Sequence, residues 1–428
     1  MAEFVEVCSY RMGSSKTNKV IQWMKDNPQE KYIYVIPNLS ELQDTEESDS
    51  RILSIGFKTP EVSIEYKTKR DDFYAKLCAS ESIACTHALY KMLERKHLDK
   101  IKELGYIIVI DEEVNLIDNY VAASTADLVS LLNDGKVEIS DDDGLVVWIA
   151  DEKVTEPYLD KNHKHNNFYR HIINEYIYTS RCTKSTDGKY KNVFMTSQLT
   201  KDLISCAKRL VIITYLFQGS ILESFLTLKG FKVKKFEDIG IVETPLDEIV
   251  SRITLLPYDK RMAKYKMNAT WWNSVSKEDV LAVNNFIRRV ATKVGYPSDE
   301  VMWTCSSKRV RDVASKKVQY YVAPTGYTKD SKGETLWISC SMRATNKYRH
   351  KKLAIHCYDR YPHVSVATYL QDYGVKVDRD RFAISELLQW LFRGNARVEN
   401  GEMVLAIASK RMYDLYVKWT EGGFKDEF

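Results

Sequence analysis

The 428 residues are 44% hydrophobic and 29% charged, which excludes a wholly disordered chain and leaves length for two or three domains. A formal net charge of +4 is too small to argue for nucleic acid by itself, so any basic footprint has to be local. The eight cysteines form no C-x-x-C pair and read as reduced thiols, and with no run of 18 apolar residues and no signal-peptide pattern the expected setting is a soluble, cytoplasmic protein away from membranes.

The first element is a short apolar run, FVEVCSY, that leads into MGSSKT (Met12–Thr17) and then the helical pattern NKVIQWM. A phosphate loop needs backbone N–H groups aimed at phosphates, small residues that let the backbone approach, and a lysine as point charge. Gly13, Ser14, Ser15, Lys16 and Thr17 supply these, with Lys16 as the lysine, Thr17 as the hydroxyl for Mg²⁺ and a helix N-terminus behind them. The loop departs from G-x-x-x-x-G-K-[ST] twice: Tyr10 and Ser15 stand where glycines are expected. Ser15 lacks the conformational freedom of glycine and is expected to strain the cradle. An ordinary strand–turn–helix connection is the competing account of this loop taken alone.

KYIYVIPNLSEL reads next as a strand ending at Pro37, and QDTEESDS as a loop. SIACTHALY gives a strand ending at Thr86–His87, with a helix expected over LYKMLERKHL. IIVIDEE (Ile107–Glu113) follows, four apolar residues before Asp111 and Glu112, as for a central parallel strand buried on both faces. A carboxylate at such a strand end can hold Mg²⁺, and its neighbour can orient or deprotonate an attacking water. A phosphate loop followed by this pair indicates a nucleoside triphosphatase using ATP and Mg²⁺.

The rhythm breaks over residues 116–200, with the acidic turn SDDDG and the stretch DKNHKHNNFYRH, and this region reads as an insertion. His163, His165 and His171 match no tetrahedral metal spacing and read as a surface loop. RLVIITYLFQGSILESFLTLKGF restores strand, sharp turn and helix. The expected first domain is 1–236, with 237–428 as the second. In the latter, Trp271–Trp272 are expected on a strand, one buried and one at an interface, with stacking on bases or wedging of a duplex as the competing account. They precede the helix NNFIRRVATKVG, strands TLWISCSMRATN and KLAIHCY, helix SELLQWLFRGNAR and strand MVLAIAS. The expected fold class is α/β, two RecA-like domains with parallel sheets and a cleft between them. The basic runs Lys308–Lys317 and Asn346–Lys352 are candidates for phosphate contact, with a solvated face as the competing account.

GSSKT, THALY, VIDEE, IITYLFQGS, SMRATNKYR and SELLQWLFRGNAR occur in an order that resembles superfamily-2 helicase-like ATPases of bacteriophages and prophages. The resemblance implies motif I at Lys16 and Thr17 and motif II at Asp111 and Glu112. It implies motifs facing the nucleic-acid backbone around Pro37 and at Thr86 and His87, a coupling role for Thr214, and Arg343, Thr345 and Asn346 near motif V. Gln389, Arg393 and Arg397 are then motif VI, the arginines reaching across the cleft to the γ-phosphate, Arg397 first and Arg393 in support. Their spacing, Q-x-x-x-R-x-x-x-R, departs from the usual Q-x-x-G-R-x-x-R. The implied partner is nucleic acid, DNA ahead of RNA, together with replication or recombination proteins. Two readings compete: a weakly hydrolysing DNA-binding or interaction protein, and a small-substrate kinase, against which the length and the late arginine helix argue.

Overall fold

The computed structural model describes residues 4–38, 51–311, 313–314, 317–342, 347–398 and 400–427. Four strands come first: β1 (Phe4–Ser9), β2 (Tyr32–Ile36), β3 (Ile83–Thr86) and β4 (Ile107–Asp111). Next come β5 (Ile117–Asn119), β6 (Val137–Ile139), β7 (Val146–Trp148), β8 (Ile177–Lys184) and β9 (Tyr190–Gln198), then β10 (Arg209–Thr214) and β11 (Lys232–Lys235). The last four are β12 (Ile253–Leu255), β13 (Val301–Thr304), β14 (Leu353–His356) and β15 (Met403–Ile407).

The first sheet has the order β11-β1-β10-β4-β2-β3 and every pairing in it is parallel. Its central strands are apolar on both faces because helices cover both. Val7, Ile33, Ile108 and Ile212 enter one core, and Cys8, Tyr34, Val109 and Ile213 enter the other. β10 lies between β1 and β4, with Ser9 beside Thr214 and Ile213 beside Asp111. Loops leaving three neighbouring strand ends therefore emerge together at the carboxyl edge, where open α/β sheets bind ligands. The second sheet, β12-β15-β14-β13, is also wholly parallel. The fold is thus α/β with two parallel sheets.

Between β4 and β10 the chain forms an antiparallel sheet, β5-β9-β8, and a hairpin, β6-β7. Leu128, Val146, Phe168 and Ile177 make a separate small core there. His171 Nδ1 lies 2.8 Å from the Tyr120 hydroxyl, and the His163 ring packs on Tyr158.

The two sheets exchange elements. Tyr215 and Leu216, just past β10, lie in the core of the second sheet, where Trp419 Nε1 donates to the Tyr215 hydroxyl at 2.8 Å. In return, the helix Val364–Asp372 places Val366, Tyr369 and Leu370 in the core of the first sheet. Its Tyr369 hydroxyl donates to the Asp143 carbonyl at 2.6 Å and its Ser365 hydroxyl to Asn119 Oδ1 at 2.8 Å, both within the region between β4 and β10.

Four local expectations are corrected. The helix expected over LYKMLERKHL is two helices, His87–Tyr90 and Arg95–Leu104, because Glu94 begins the second by donating its N–H to His97 Nδ1 at 3.1 Å. Trp271 and Trp272 sit on a short helix, Ala269–Asn273, capped by Asn268, with Trp272 in the core. Over its described residues, the strand expected in TLWISCSMRATN shrinks to a single parallel bridge, Trp337 beside Trp303 of β13, with Leu336 and Ile338 buried in different cores. The helix expected over SELLQWLFRGNAR is Arg379–Leu391 and ends before Arg393.

His356 closes β14 and is fully buried against Trp390, ring centroids 5.4 Å apart. Burial pushes its pKa down to about 3. The folded state keeps the ring neutral, whereas the unfolded chain takes up a proton as pH falls through about 6.5. Stability from this residue is present above that pH and is lost below it, by about 2 kcal/mol between pH 7 and pH 5. Urea unfolding of His356→Leu should show a flatter pH dependence over that interval by this amount; parallel curves for variant and wild type would contradict the assignment.

Candidate active site

Past Ser9 the chain turns through Gly13, φ +89°, and Ser15, φ 54° and ψ 25°, before the helix Lys16–Asp26 begins. Ser15 thus takes the left-handed conformation that a glycine would take freely, and the loop closes despite the substitution. The first-turn amides of this helix have no partner within it and form a cradle for an anion. Left-handed backbone costs a non-glycine residue about 1 kcal/mol. Ser15→Gly is accordingly expected to raise the melting temperature by a few degrees; a lower one would mean that the serine side chain supports the loop.

Lys16 lies at the base of the loop and its Nζ donates to the Tyr10 carbonyl at 3.1 Å. The Thr17 hydroxyl stands 3.3 Å from Asp111 Oδ2, which also accepts from the Tyr34 hydroxyl at 2.7 Å. His87 Nε2 is 3.0 Å from the Asp111 carbonyl oxygen. Burial raises the pKa of Asp111 and lowers that of Lys16, and each charge partly offsets the shift of the other. The Thr17 hydroxyl and the Asp111 carboxylate are hard oxygen donors within reach of one small cation, so the donor set fits Mg²⁺.

Beyond Asp111 the backbone turns sharply: Glu112 has φ 61°, and its N–H still donates to the Ile213 carbonyl at 2.9 Å. Held in this conformation, its side chain reaches the second half of the molecule. Glu113 accepts from the Thr214 hydroxyl at 3.2 Å, and the Thr214 carbonyl accepts from the Tyr10 N–H at 3.3 Å. The ends of β1, β4 and β10 are therefore tied into one unit.

The second half answers with arginines. Arg393 Nη2 meets Glu112 Oε1 at 2.6 Å, and the arginine side chain is 6% exposed. Arg397 follows on a 3₁₀ turn, Asn395–Arg397. The turn packs closely, because a Cβ at Gly394 would lie 2.9 Å from the Lys351 carbonyl oxygen. Arg397 is an exposed residue, yet the protein packed around its guanidinium, then Arg393 and Arg349, hold it below its ordinary pKa, while Glu112 and Asp111 oppose them. The positive charge of Arg397 also bears on Lys16. Gln389 turns along its own helix, its Nε2 donating to the Ser385 hydroxyl at 3.1 Å.

Lys16, Thr17, Asp111, Glu112 and Arg393 are thus linked by direct contact or by charge, and the charge of Arg397 bears on the same groups. Arg349 is a member that sequence reasoning did not single out; the signal was its place in the basic run NKYRHKK. Met12 of the loop packs on the second core, and Arg11 donates to the Thr244 carbonyl at 3.1 Å. Pro37 follows β2, and the Thr86 hydroxyl caps the helix His87–Tyr90 by accepting the Leu89 N–H at 3.2 Å. Arg343, Thr345 and Asn346 lie outside the described residues.

Residues 246–420 match the family described as the YonV C-terminal Rossmann-like domain. Over 438 residues the chain is 22% identical to the SPbeta prophage-derived uncharacterized protein YonV of Bacillus subtilis (strain 168), covering 98% of this chain and 99% of that protein. Among solved structures it is similar to S. tokodaii Xpd4, at 14% identity and TM-score 0.46, over 99% of this chain and 95% of that one. A second is the DUF1998 helicase MrfA bound to DNA and AMPPNP, at 11% identity and TM-score 0.33; the match covers 99% of this chain and 49% of that one. Among the described residues no helix is long and apolar enough to cross a membrane.

Proposed function

We propose that the protein is an ATPase that couples hydrolysis to movement along nucleic acid, a helicase or translocase of superfamily-2 type. The observation that carries this reading is the Arg393–Glu112 contact, which joins a second-half arginine to the strand end that also bears Asp111, beside Lys16 and Thr17. Residues 1–236 form the ATP-binding unit and 237–428 its partner, with 116–200 inserted in the first. ATP with Mg²⁺ would bring the phosphoanhydride bond to be cleaved. Lys16, the loop amides and Thr17 hold its phosphates and cation together with Asp111. Glu112 takes the proton of the attacking water once Arg393 releases it, and Arg397 faces the charge that develops on the transferred phosphate. Hydrolysis then depends on closure, since its arginines come from the opposite half.

The nucleic-acid track is assigned to the loops around Pro37, Thr86 and His87 and to the segment with Arg343, Thr345 and Asn346, DNA ahead of RNA. The prophage-derived relative supports a phage setting in a host cytoplasm, among replication or recombination proteins. Steady-state ATP hydrolysis by wild type and Lys16→Ala tests the reading, each without nucleic acid and with single-stranded DNA, forked duplex or RNA. Stimulation by one polymer, lost in Lys16→Ala, is the expected outcome and names the track. ATP bound but never hydrolysed would replace the motor with a nucleotide-dependent binding protein.

A further inference from the structure

The helix Lys410–Thr420 is followed by Gly422, φ +80°, and a tight turn in which the Gly423 N–H donates to the Lys418 carbonyl at 2.9 Å. Phe424 then anchors in the core of the second sheet. Two residues on, Asp426 crosses to the first half, its side chain only 7% exposed. Its carboxylate accepts from the Phe217 N–H at 2.8 Å, the Gln218 N–H at 3.0 Å, Arg381 Nη1 at 3.3 Å and the Ser9 hydroxyl. One buried carboxylate thereby joins the end of β1, the loop after β10 and the helix Arg379–Leu391.

The surroundings reinforce the junction. Arg381 Nη2 donates to the Lys425 carbonyl at 2.6 Å, and the Glu427 N–H donates to Gln218 Oε1 at 2.8 Å. The loop backbone presses on the same arginine, since a Cβ at Gly219 would lie 2.5 Å from Arg381 Cβ. Four donors to one carboxylate offset its desolvation, and removing it would leave the Arg381 guanidinium half-buried without this counter-charge.

The helix that starts at Arg379 leads into Arg393, and the loop that Asp426 holds begins at Thr214, the partner of Glu113. We propose that Asp426 is a positioning residue: it pins the arginine-bearing helix to the loop after β10 and so fixes Arg393 and Arg397 opposite the phosphate loop. The kinetic half of this proposal rests on the ATPase reading; the geometric half does not. Lys16, Thr17 and Asp111 all belong to the first half, so ATP affinity is spared when the pin is lost, whereas closure of the arginines is not.

The test uses the full chain with spin labels at Cys78, an exposed cysteine, and at Leu281→Cys, an exposed position on the helix Lys277–Val294. In Asp426→Ala the distance distribution between labels, measured without nucleotide, should broaden relative to wild type. Asp426→Asn, which keeps an acceptor for one of the two amides but turns an NH₂ toward the other and loses the charge, should fall between them and guards against a variant that fails to fold. In the same proteins kcat for ATP should fall by about a hundredfold, the cost of a misplacement of about 1 Å, with KM within about twofold. A narrow, unchanged distribution in either folded variant overturns the pin, as does a loss confined to KM. Should wild type hydrolyse no ATP, the ATPase reading fails by itself, and the distance measurement still decides the role of Asp426.

Discussion

Glu112→Gln should bind ATP and scarcely turn it over. The substitution keeps the shape of the side chain and removes the proton acceptor, a change worth about 10²–10⁴ in rate for general-base catalysis. It also removes the charge that Arg393 meets at 2.6 Å, so the arginine is freed toward the phosphates and nucleotide should dissociate more slowly. Single-turnover hydrolysis with a parallel binding titration separates the effects: turnover collapses while ATP stays bound. Unchanged turnover would remove Glu112 from the proton-transfer role and leave it as a partner of Arg393 alone.

Arg397→Ala should lose turnover without losing stability. Turnover falls by about 10³-fold or more, the range found when an arginine that neutralises transferred phosphate is lost. Thermal stability of the ligand-free protein stays within about 0.5 kcal/mol of wild type, because Arg397 is an exposed residue and such substitutions change stability little. An activity lost at unchanged stability is the mark of a charge placed for a ligand rather than for the fold. Steady-state ATPase assays and melting curves on one preparation check both. Lower stability with unaffected turnover would move the catalytic role to Arg393 or Arg349.

The parallel sheets were legible because β1, β2, β4 and β10 are short apolar runs, each ending in a polar turn. The carboxylates of IIVIDEE could be put at a strand end for the same reason. The geometry of Ser15 could not be read, since its residue type argues against the left-handed backbone that the loop imposes. The break at 91–94 was hidden because LYKMLERKHL keeps a helical pattern across it, and only the Glu94–His97 cap divides it. β13 was missed in favour of TLWISCSMRATN, whose Leu336 and Ile338 are as buried as strand residues but serve separate cores. Arg349 was obscured by its neighbours: within NKYRHKK nothing in the sequence separates the arginine whose charge bears on Arg397 from Lys347, Lys351 and Lys352, which bond Glu334, the Asp299 carbonyl and Glu300. Contacts such as Asp426 with Phe217 and Arg381 join residues far apart in the chain and leave no local trace.

The exchange of the Tyr215–Leu216 loop for the helix Val364–Asp372 also bears on how the chain is made. On the ribosome the first sheet can assemble once β11 has emerged, yet its core stays open until Val366, Tyr369 and Leu370 arrive. Throughout that interval an apolar seat and the loop bearing Tyr215 and Leu216 stay exposed to solvent, the kind of surface on which nascent chains aggregate or recruit chaperones. The two halves therefore mature together, late in synthesis, and a chain stopped short of residue 370 has no finished domain to release.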